Sequence, residues 1–410
     1  MFTPAESVAY LTAALDTHGR DEPSDQLTTL ATDLGHLPLA LAQAAAYLID
    51  SGQTAAAYRN LLADRTTKLT DLAPDTLPDE QATALAAAWS LSIDRADTLR
   101  PAGLARPMLH LASLLDANGI PQDVLTSQPA RDHLAQHRTA SAPVRVVGRK
   151  WWPGRRRRPA APITPEEAFA ALRALDRLSL IEHRPSTPHQ GVRVHQLIQR
   201  ATRDTLTSGQ HNQYARAAGD ALLAAWPEVE RDTALVQALR ANTDALTRHD
   251  EDALYRPDAH GVLHGLGRSL GGSGQVSAAT AHFQRLMATA TRLLGPDHRD
   301  VLASRHNLAR SRGETGDPAG AAAAYTELLP DLVRVLGKDA PHTLAARNEL
   351  VWWRGNAGDP AGAAAAFAEL LPDLVRVLGE DHPHTLAASN DLAYWREQTG
   401  EAAVDQSTDW

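Results

Sequence analysis

The chain has 410 residues, a formal net charge of −9 and no cysteine. The lack of cysteine excludes disulfides, thiolate zinc sites and cysteine nucleophiles, and the acidic balance argues against a general nucleic-acid-binding surface. The sequence has no signal peptide and no apolar run of the ~20 residues that a membrane span needs, so we expect a cytoplasmic protein with no membrane partner.

Residues 1–66 contain three predicted helical stretches, and the central one includes LATDLGHLPLALAQAAAYLID. Residues 67–100 predict a linker helix that carries Trp89. The N-terminal part of the chain is therefore predicted to be a helical subdomain followed by a linker.

Residues 101–205 mix helical and extended patterns. LARPMLHLASLLDANGI predicts a helix that ends at Asn118-Gly119, and IPQDVLTS predicts a second, short helix. EEAFAALRALDRLSLIEHR predicts an amphipathic helix running into a strand, and GVRVHQLIQRATRDTL predicts a second strand feeding a helix. Because the polar segment 185–191 joins the two strands, this order outlines a winged helix with a small β-hairpin.

A basic insertion at about 138–163 interrupts this region. Its cations, with no acid among them, include Arg149, Lys150, Arg155, Arg156, Arg157 and Arg158. A charge run with proline and glycine cannot bury a core, which favours a disordered loop. The alternative is a contact with phosphate, nucleic acid or an acidic partner, in which Trp151 and Trp152 stack or anchor.

Residues 206–256 predict a helical arm, and residues 257–400 form a repeat with a period of 42. The glycines Gly274, Gly316, Gly358 and Gly400 share this spacing. Each unit predicts two helices, for example about Pro341–Asn356 and about Pro360–Leu378. Pro330 and Pro372 are expected to kink or split the second helix of their units. Residues 401–410 predict a disordered tail.

Three segments carry a family resemblance: LASRHNLA at 302–309, LAARNELV at 344–351 and LAASNDLA at 386–393, each following a G-x-D turn. They resemble tetratricopeptide repeats of the kinesin-light-chain type. The resemblance implies an α-solenoid whose first helices line a concave binding surface.

Alignment of the repeats predicts which side chains line this groove. One position holds His306, Asn348 and Asn390, the adjacent position holds Asn307, Glu349 and Asp391, and the position one turn on holds Arg310, Trp352 and Tyr394. Asparagine amides pair with an extended peptide backbone, and aromatic rings offer flat apolar contact. The alternative is that these residues form only solvated helix faces.

Two short motifs carry a second resemblance. Residues Gly35 to Ala40 (GHLPLA) resemble the GLPLA motif of NB-ARC proteins, the nucleotide-switch module of signal-transduction ATPases with numerous domains. Val194-His195-Gln196 resembles the Met-His-Asp motif of the same family, with Gln196 in place of aspartate. The resemblance, strongest to actinobacterial members that also carry tetratricopeptide repeats, implies that Pro38 packs on adenine and that His195 meets the β-phosphate of ADP.

The phosphate-binding half of that family is missing from the sequence. A P-loop needs lysine followed by serine or threonine, whereas Lys68, Lys150 and Lys338 precede Leu, Trp and Asp. We therefore expect no enzyme, no metal site and no cofactor in this chain, with ADP or ATP bound only if the missing half is supplied. Without that half, Pro38 is interpreted as a helix start and His195 as a buried residue between strand and helix.

The sequence thus predicts a mainly α protein that acts in protein–protein interaction and signalling. The repeats bind a protein or peptide, and the winged helix relays binding to a nucleotide-switch domain outside this chain. The alternative function is a DNA-binding transcriptional regulator that uses the winged helix and the arginine-rich loop.

Overall fold

The computed structural model describes residues 1–72, 80–139 and 161–400, and within them the chain forms nineteen α-helices and one two-stranded sheet. The mainly α fold class is confirmed. The chain divides into two compact units, Met1–Leu254 and Tyr255–Trp410, called here the N-terminal unit and the repeat unit. The predicted tail 401–410 and most of the predicted basic insertion lie outside the described residues.

Five helices open the N-terminal unit. Their bounds are α1 Pro4–Asp16, α2 Ser24–Asp33, α3 Pro38–Ser51, α4 Ala55–Leu72 and α5 Glu80–Thr98. The predicted central stretch is two helices, because Gly35 and His36 adopt positive φ and Pro38 then starts α3. The prediction of three helical stretches in residues 1–66 is therefore wrong. Trp89 lies in α5 and is buried.

The middle of the N-terminal unit carries the only sheet of the described residues. Its elements are α6 Ala105–Ala112, α7 Gln122–Thr126, α8 Gln128–Gln136, α9 Pro165–Arg177, β1 Glu182–His183, β2 Val192–Arg193 and α10 Gln196–Arg203. The two strands are antiparallel, with Glu182 opposite Arg193. The predicted pair of strands, joined through residues 185–191, is confirmed.

One helix prediction in this region was wrong, and one helix was not predicted. Helix α6 ends at Ala112 instead of Asn118, although Leu114 and Leu115 continue the apolar spacing and are fully buried. These leucines lie in turns, so burial there does not require a helix. Helix α8 was not predicted; it begins where the Ser127 hydroxyl accepts a hydrogen bond from the Ala130 amide (3.4 Å).

Helices α11 (Ser208–Ala225) and α12 (Thr233–Asp250) complete the unit. Asn242 of α12 is fully buried and bonds the turn that follows α6. Its amide donates to the Gly119 carbonyl (2.8 Å), and its side-chain oxygen accepts from the Asp116 amide (3.0 Å). One side chain therefore satisfies two buried backbone groups more than a hundred residues away along the chain.

Seven helices form the repeat unit over residues 255–400, the part of it that the structure describes. They are α13 Gly261–Gly272, α14 Val276–Leu294, α15 Arg299–Glu314, α16 Pro318–Leu336, α17 Pro341–Asn356, α18 Pro360–Leu378 and α19 Pro383–Thr399. Helices α13, α15, α17 and α19 are the first helices of successive repeats, and α14, α16 and α18 are the second helices. The predicted bounds of α17 and α18 are confirmed.

The predicted glycine corners recur with the same backbone geometry. Gly274, Gly316 and Gly358 follow successive first helices with φ of +77°, +95° and +109°. A side chain with a Cβ is strained in this region, so glycine ends each first helix at an equivalent corner.

Pro330 and Pro372 lie inside α16 and α18, and both helices run unbroken through them. The expectation that they split the helices is therefore wrong. Both prolines are exposed, so the carbonyl that loses its amide donor lies on the solvent side, where water can replace that donor.

Neighbouring repeats are joined by apolar clusters and by a repeating set of ion pairs. Phe367 and Tyr325 occupy equivalent, fully buried positions in α18 and α16. Arg334 of α16 bonds Asp297 in the turn between α14 and α15 (2.6 Å), and Arg376 of α18 bonds Asp339 in the turn between α16 and α17 (2.7 Å). The ion pairs repeat with the period of the sequence and join each second helix to the preceding repeat, although exposed pairs of this kind contribute little free energy.

Candidate functional site

The nine residues predicted to line a groove lie on α15, α17 and α19, and we call the face that carries them the first-helix surface. Its members are His306, Asn307, Arg310, Asn348, Glu349, Trp352, Asn390, Asp391 and Tyr394. Contacts between successive first helices join the members on α17 to those on α19. Trp352 and Tyr394, for example, have ring centroids 5.8 Å apart.

Three of the nine residues are engaged within their own repeat. The Asn307 amide donates to the Ala303 carbonyl of the same helix (2.9 Å), and Arg310 donates to Glu314 one turn on (2.8 Å). The His306 ring packs edge-on against Tyr325 (5.1 Å). Burial, followed by the nearby Arg310 cation, lowers the pKa of His306 to about 4, so this imidazole is neutral at pH 7.

On α17 and α19 the surface has groups without such partners. The Asn348 side chain lies near the Asp391 carboxylate and lowers its pKa, while the side-chain oxygen of Asn348 is buried with no hydrogen-bond partner. Asn390, at the equivalent position on α19, is exposed. Between α17 and α19 the first-helix surface therefore covers a buried acceptor whose hydrogen-bonding capacity is unsatisfied.

Two carboxylates lie next to this acceptor. Burial raises the pKa of Glu349, while the Arg310 guanidinium and a hydrogen bond from the Trp353 indole lower it. Burial also raises the pKa of Asp391, while the Asn348 side chain lowers it. Neither carboxylate forms an ion pair within the part of the chain that the structure describes. Asp391 is thus a partly desolvated carboxyl group with no cation acting on it, and the cation that acts on Glu349, Arg310, is already paired with Glu314.

An aromatic cluster borders the carboxylates. Trp395 is buried and lies edge-on to both Trp352 (5.4 Å) and Tyr394 (4.8 Å). Trp352 is partly buried, and Tyr394 is 45% exposed. The predicted pair of surface aromatics thus rests on a third ring that the sequence analysis did not select.

Two tryptophan–glycine contacts were also missed. Trp353 lies against Gly313 of the preceding first helix, and Trp395 lies against Gly355 in the same way; a Cβ built on either glycine would lie 2.6 Å from the indole. The signal was present in the sequence, because both the glycines and the tryptophans are spaced by 42. These contacts set how closely the first helices approach each other.

A cavity of about 620 Å³ lies elsewhere in the repeat unit, between α14, α15 and α16. Thr280, Gln284, Arg305, Arg312 and Glu327 contribute its polar lining. None of the nine predicted residues lines it.

The two nucleotide-motif residues lie at one side of the N-terminal unit. Pro38 begins α3, in keeping with its interpretation as a helix start. His195 stands between β2 and α10 and caps α10 by accepting from the Leu197 amide (3.2 Å). It is exposed, so the interpretation of His195 as a buried residue is wrong. A cavity of about 550 Å³ is lined by His195 together with Leu39 and Ala42, which follow Pro38 in α3.

A cavity of about 880 Å³ between α8 and α11 is lined by His133 and His137. Their rings stack at 4.0 Å, and His133 meets the Tyr214 ring edge-on at 4.4 Å. Burial lowers the pKa of His133 to about 3 and that of the neighbouring His110 to about 4. Both of these imidazoles are therefore uncharged at pH 7.

The remaining predicted residues, Arg149, Lys150, Arg155, Arg156, Arg157 and Arg158, lie outside the described residues. Within the described ranges, no group of three or more histidine, aspartate or glutamate side chains is placed to hold a metal ion. None of the helices there is long and apolar enough to cross a membrane.

Comparison with known proteins defines the class of the repeat unit. Models of the tetratricopeptide repeat match residues 258–332 and 343–384. The repeat unit therefore contains tetratricopeptide repeats, which are protein-binding modules. Both matches lie in this unit.

Twenty-three chains of solved structures match. Two of them are crystal structures of nearly identical TPR-like repeats from a putative kinesin light chain of Podosopora anserina, one of them carrying a single substitution. Each is 21% identical and covers 48% of this chain and 88% of its own, with TM-scores of 0.36 for the substituted protein and 0.35 for the other. No curated protein matches the chain.

Proposed function

We propose that the first-helix surface of the repeat unit binds a protein partner through an extended peptide segment, and that the chain acts as an interaction module in a regulatory assembly. The observation that carries this proposal is the exposed ring of Tyr394, packed against Trp352 at 5.8 Å, on the same face as Asn348, whose buried side-chain oxygen has no partner. The ring offers apolar contact to a side chain of a peptide. The buried acceptor costs free energy, which a peptide N–H recovers if the Asn348 amide turns towards the bound peptide.

The test is selection of a displayed random 12-residue peptide library on the full chain. Enriched peptides should lose binding to Trp352→Ala and Asn348→Ala, and they should bind Glu369→Gln as they bind the unchanged chain. Glu369 lies exposed on α18, a second helix, so it controls for general changes in the repeat unit. Enriched peptides that bind all three variants equally would place the binding surface elsewhere and refute the proposal.

For the N-terminal unit we propose a winged helix of the NB-ARC type that relays partner binding to a nucleotide switch on another chain. The support is that Leu39 and Ala42, next to the GLPLA-like turn, line one cavity with His195. The cavity offers apolar contact through Leu180 and Ile198, but its lining combines one arginine, Arg193, with the carboxylates of Asp176 and Glu182. These residues do not fit a polyphosphate by themselves.

We therefore expect calorimetric titration of the full chain with ADP and Mg²⁺ to show no saturable binding. Saturable binding that is lost in His195→Ala would contradict this expectation.

A further inference from the structure

We propose that the partner presents a positively charged side chain, arginine or lysine, to the first-helix surface at the carboxylates of Glu349 and Asp391. This inference rests on the proposed function of that surface and specifies the chemistry of its ligand. We call the site the acidic–aromatic patch; its members are Glu349, Trp352, Asp391 and Tyr394.

The balance of charge around the patch favours a cation. Arg310 is the cation that acts on Glu349, and Glu349 is also exposed to the negative charges of Glu314 and Asp391. Arg310 is already bonded to Glu314 at 2.8 Å. The two carboxylates of the patch repel each other, since Asp391 raises the proton affinity of Glu349. A ligand cation would relieve this repulsion and supply the missing counter-charge.

A one-methylene difference between the repeats leaves Asp391 available. In α17, Glu349 accepts a hydrogen bond from the Trp353 indole at 2.9 Å. At the equivalent position of α19, Asp391 does not make this bond, and the Trp395 indole N–H is buried without a partner. Because the aspartate side chain is one methylene shorter, its carboxylate is left without the indole bond; it stays half-buried near Asn348, which lowers its pKa.

The aromatic rings of the patch also favour a cationic ligand. Trp352 lies one helical turn after Glu349, and Tyr394 lies one turn after Asp391, so each ring borders a carboxylate on the same helix face. The face of an indole or phenol ring attracts a cation, and arginine also stacks on it through its planar guanidinium. An anionic ligand would meet two unpaired carboxylates, and a purely apolar one would leave them desolvated.

The experiment uses the full chain and the peptides that the library selection enriches. Each basic residue of an enriched peptide is replaced by glutamine, and dissociation constants are measured by fluorescence anisotropy for Glu349→Gln and Asp391→Asn. Both substitutions keep an acceptor oxygen of the same reach and remove only the charge. Glu369→Gln is the matched control, because it removes one negative charge from the second-helix side of the same repeat.

We expect replacement of one basic residue to weaken binding about tenfold, the size of one charged, ring-stacked contact. Each patch variant should weaken the parent peptide by a similar factor and leave the glutamine peptide unchanged, while Glu369→Gln changes neither. Peptides that need Asn348 and Trp352 but bind equally well without a basic residue would overturn the cation inference and leave the proposed function standing. If no enriched peptide depends on Asn348 or Trp352, both proposals fail.

Discussion

Each of the two units of the chain is stabilised by a different kind of internal contact. In the repeat unit, Phe367 packs among side chains of α17, α18 and α19, and Tyr325 does the same one repeat earlier. In the N-terminal unit, Asn242 bonds backbone groups more than a hundred residues away, and Gln199 donates to the Ala112 and Leu115 carbonyls. A contact between neighbours recurs with the period of the sequence, whereas a contact between distant segments occurs once. A destabilising substitution should therefore affect only adjacent helices in the repeat unit, whereas in the N-terminal unit its effect should spread through the whole unit.

Phe367→Ala should have the largest effect. Removing a fully buried phenylalanine costs about 3–5 kcal/mol, because transfer free energy is lost and a cavity remains. In an array of repeats this cost falls on the adjacent helices. Hydrogen exchange should show faster exchange in α17 to α19 and unchanged protection in the N-terminal unit. Uniform loss of protection across both units would contradict the comparison.

Asn242→Ala should cost about 2–4 kcal/mol, because it leaves the Gly119 carbonyl and the Asp116 amide without their partner. The loss should appear throughout the N-terminal unit when unfolding by urea is followed by hydrogen exchange. Asn307→Ala is the matched control. Its amide bonds the Ala303 carbonyl of its own helix, so its cost should stay below about 0.5 kcal/mol.

Acid should weaken the N-terminal unit through its histidine cluster. His110 and His133 have pKa values lowered to about 4 and about 3, by burial first and then by neighbouring positive charge. The unfolded chain titrates at about 6.5, so it takes up protons first as the pH falls. The free energy of unfolding should therefore fall from about pH 6.5 down to about pH 3.

The variant His133→Phe keeps a ring in the cluster and removes one titrating group. Urea unfolding at several pH values should then show a shallower loss of stability in the N-terminal unit. The acid response of the repeat unit should be unchanged, since it follows from His264 and His306, whose pKa values burial lowers to about 4. If the free energy of unfolding falls equally steeply with pH before and after the substitution, the histidine cluster does not cause the acid response.

Asp391→Glu should have the smallest effect, a gain of about 1 kcal/mol. The longer side chain can accept from the Trp395 indole N–H, which now has no partner, and so copy the bond between Glu349 and Trp353. Thermal unfolding of the full chain measures the gain. Glu349→Asp is the converse change and should lower the midpoint; the same shift in both variants would refute the explanation.

The sequence predicted the repeat unit better than the N-terminal unit, for physical reasons. The corners at Gly316 and Gly358 need a backbone conformation that glycine adopts without strain, and so the residue type reveals the geometry. The end of α6 has no such marker, because Leu114 and Leu115 are buried in turns with the spacing of a helix. Their environment is supplied by segments that are distant in the sequence.

The sequence predicted the positions of the candidate-site residues but not the partners of their side chains. Repeat alignment places Asn307, Glu349 and Asp391 at equivalent sites. It does not show that Asn307 bonds its own helix, that Glu349 reaches an indole, or that Asp391 fails to do so. Those outcomes depend on side-chain length and on the ring behind each residue. The tryptophans that supply these rings are also spaced by 42 residues, so their equivalent positions could be predicted from the sequence.

The contacts of Trp353 with Gly313 and of Trp395 with Gly355 have a consequence for ligand choice. Because glycine has no Cβ, each indole packs directly against the preceding first helix, and these pairs fix the spacing between successive first helices. A peptide that binds as proposed must match that spacing with the distance between its own anchoring side chains. The choice of ligand would then depend on Trp353, Trp395 and their glycine partners, which lie beneath the residues that contact the ligand.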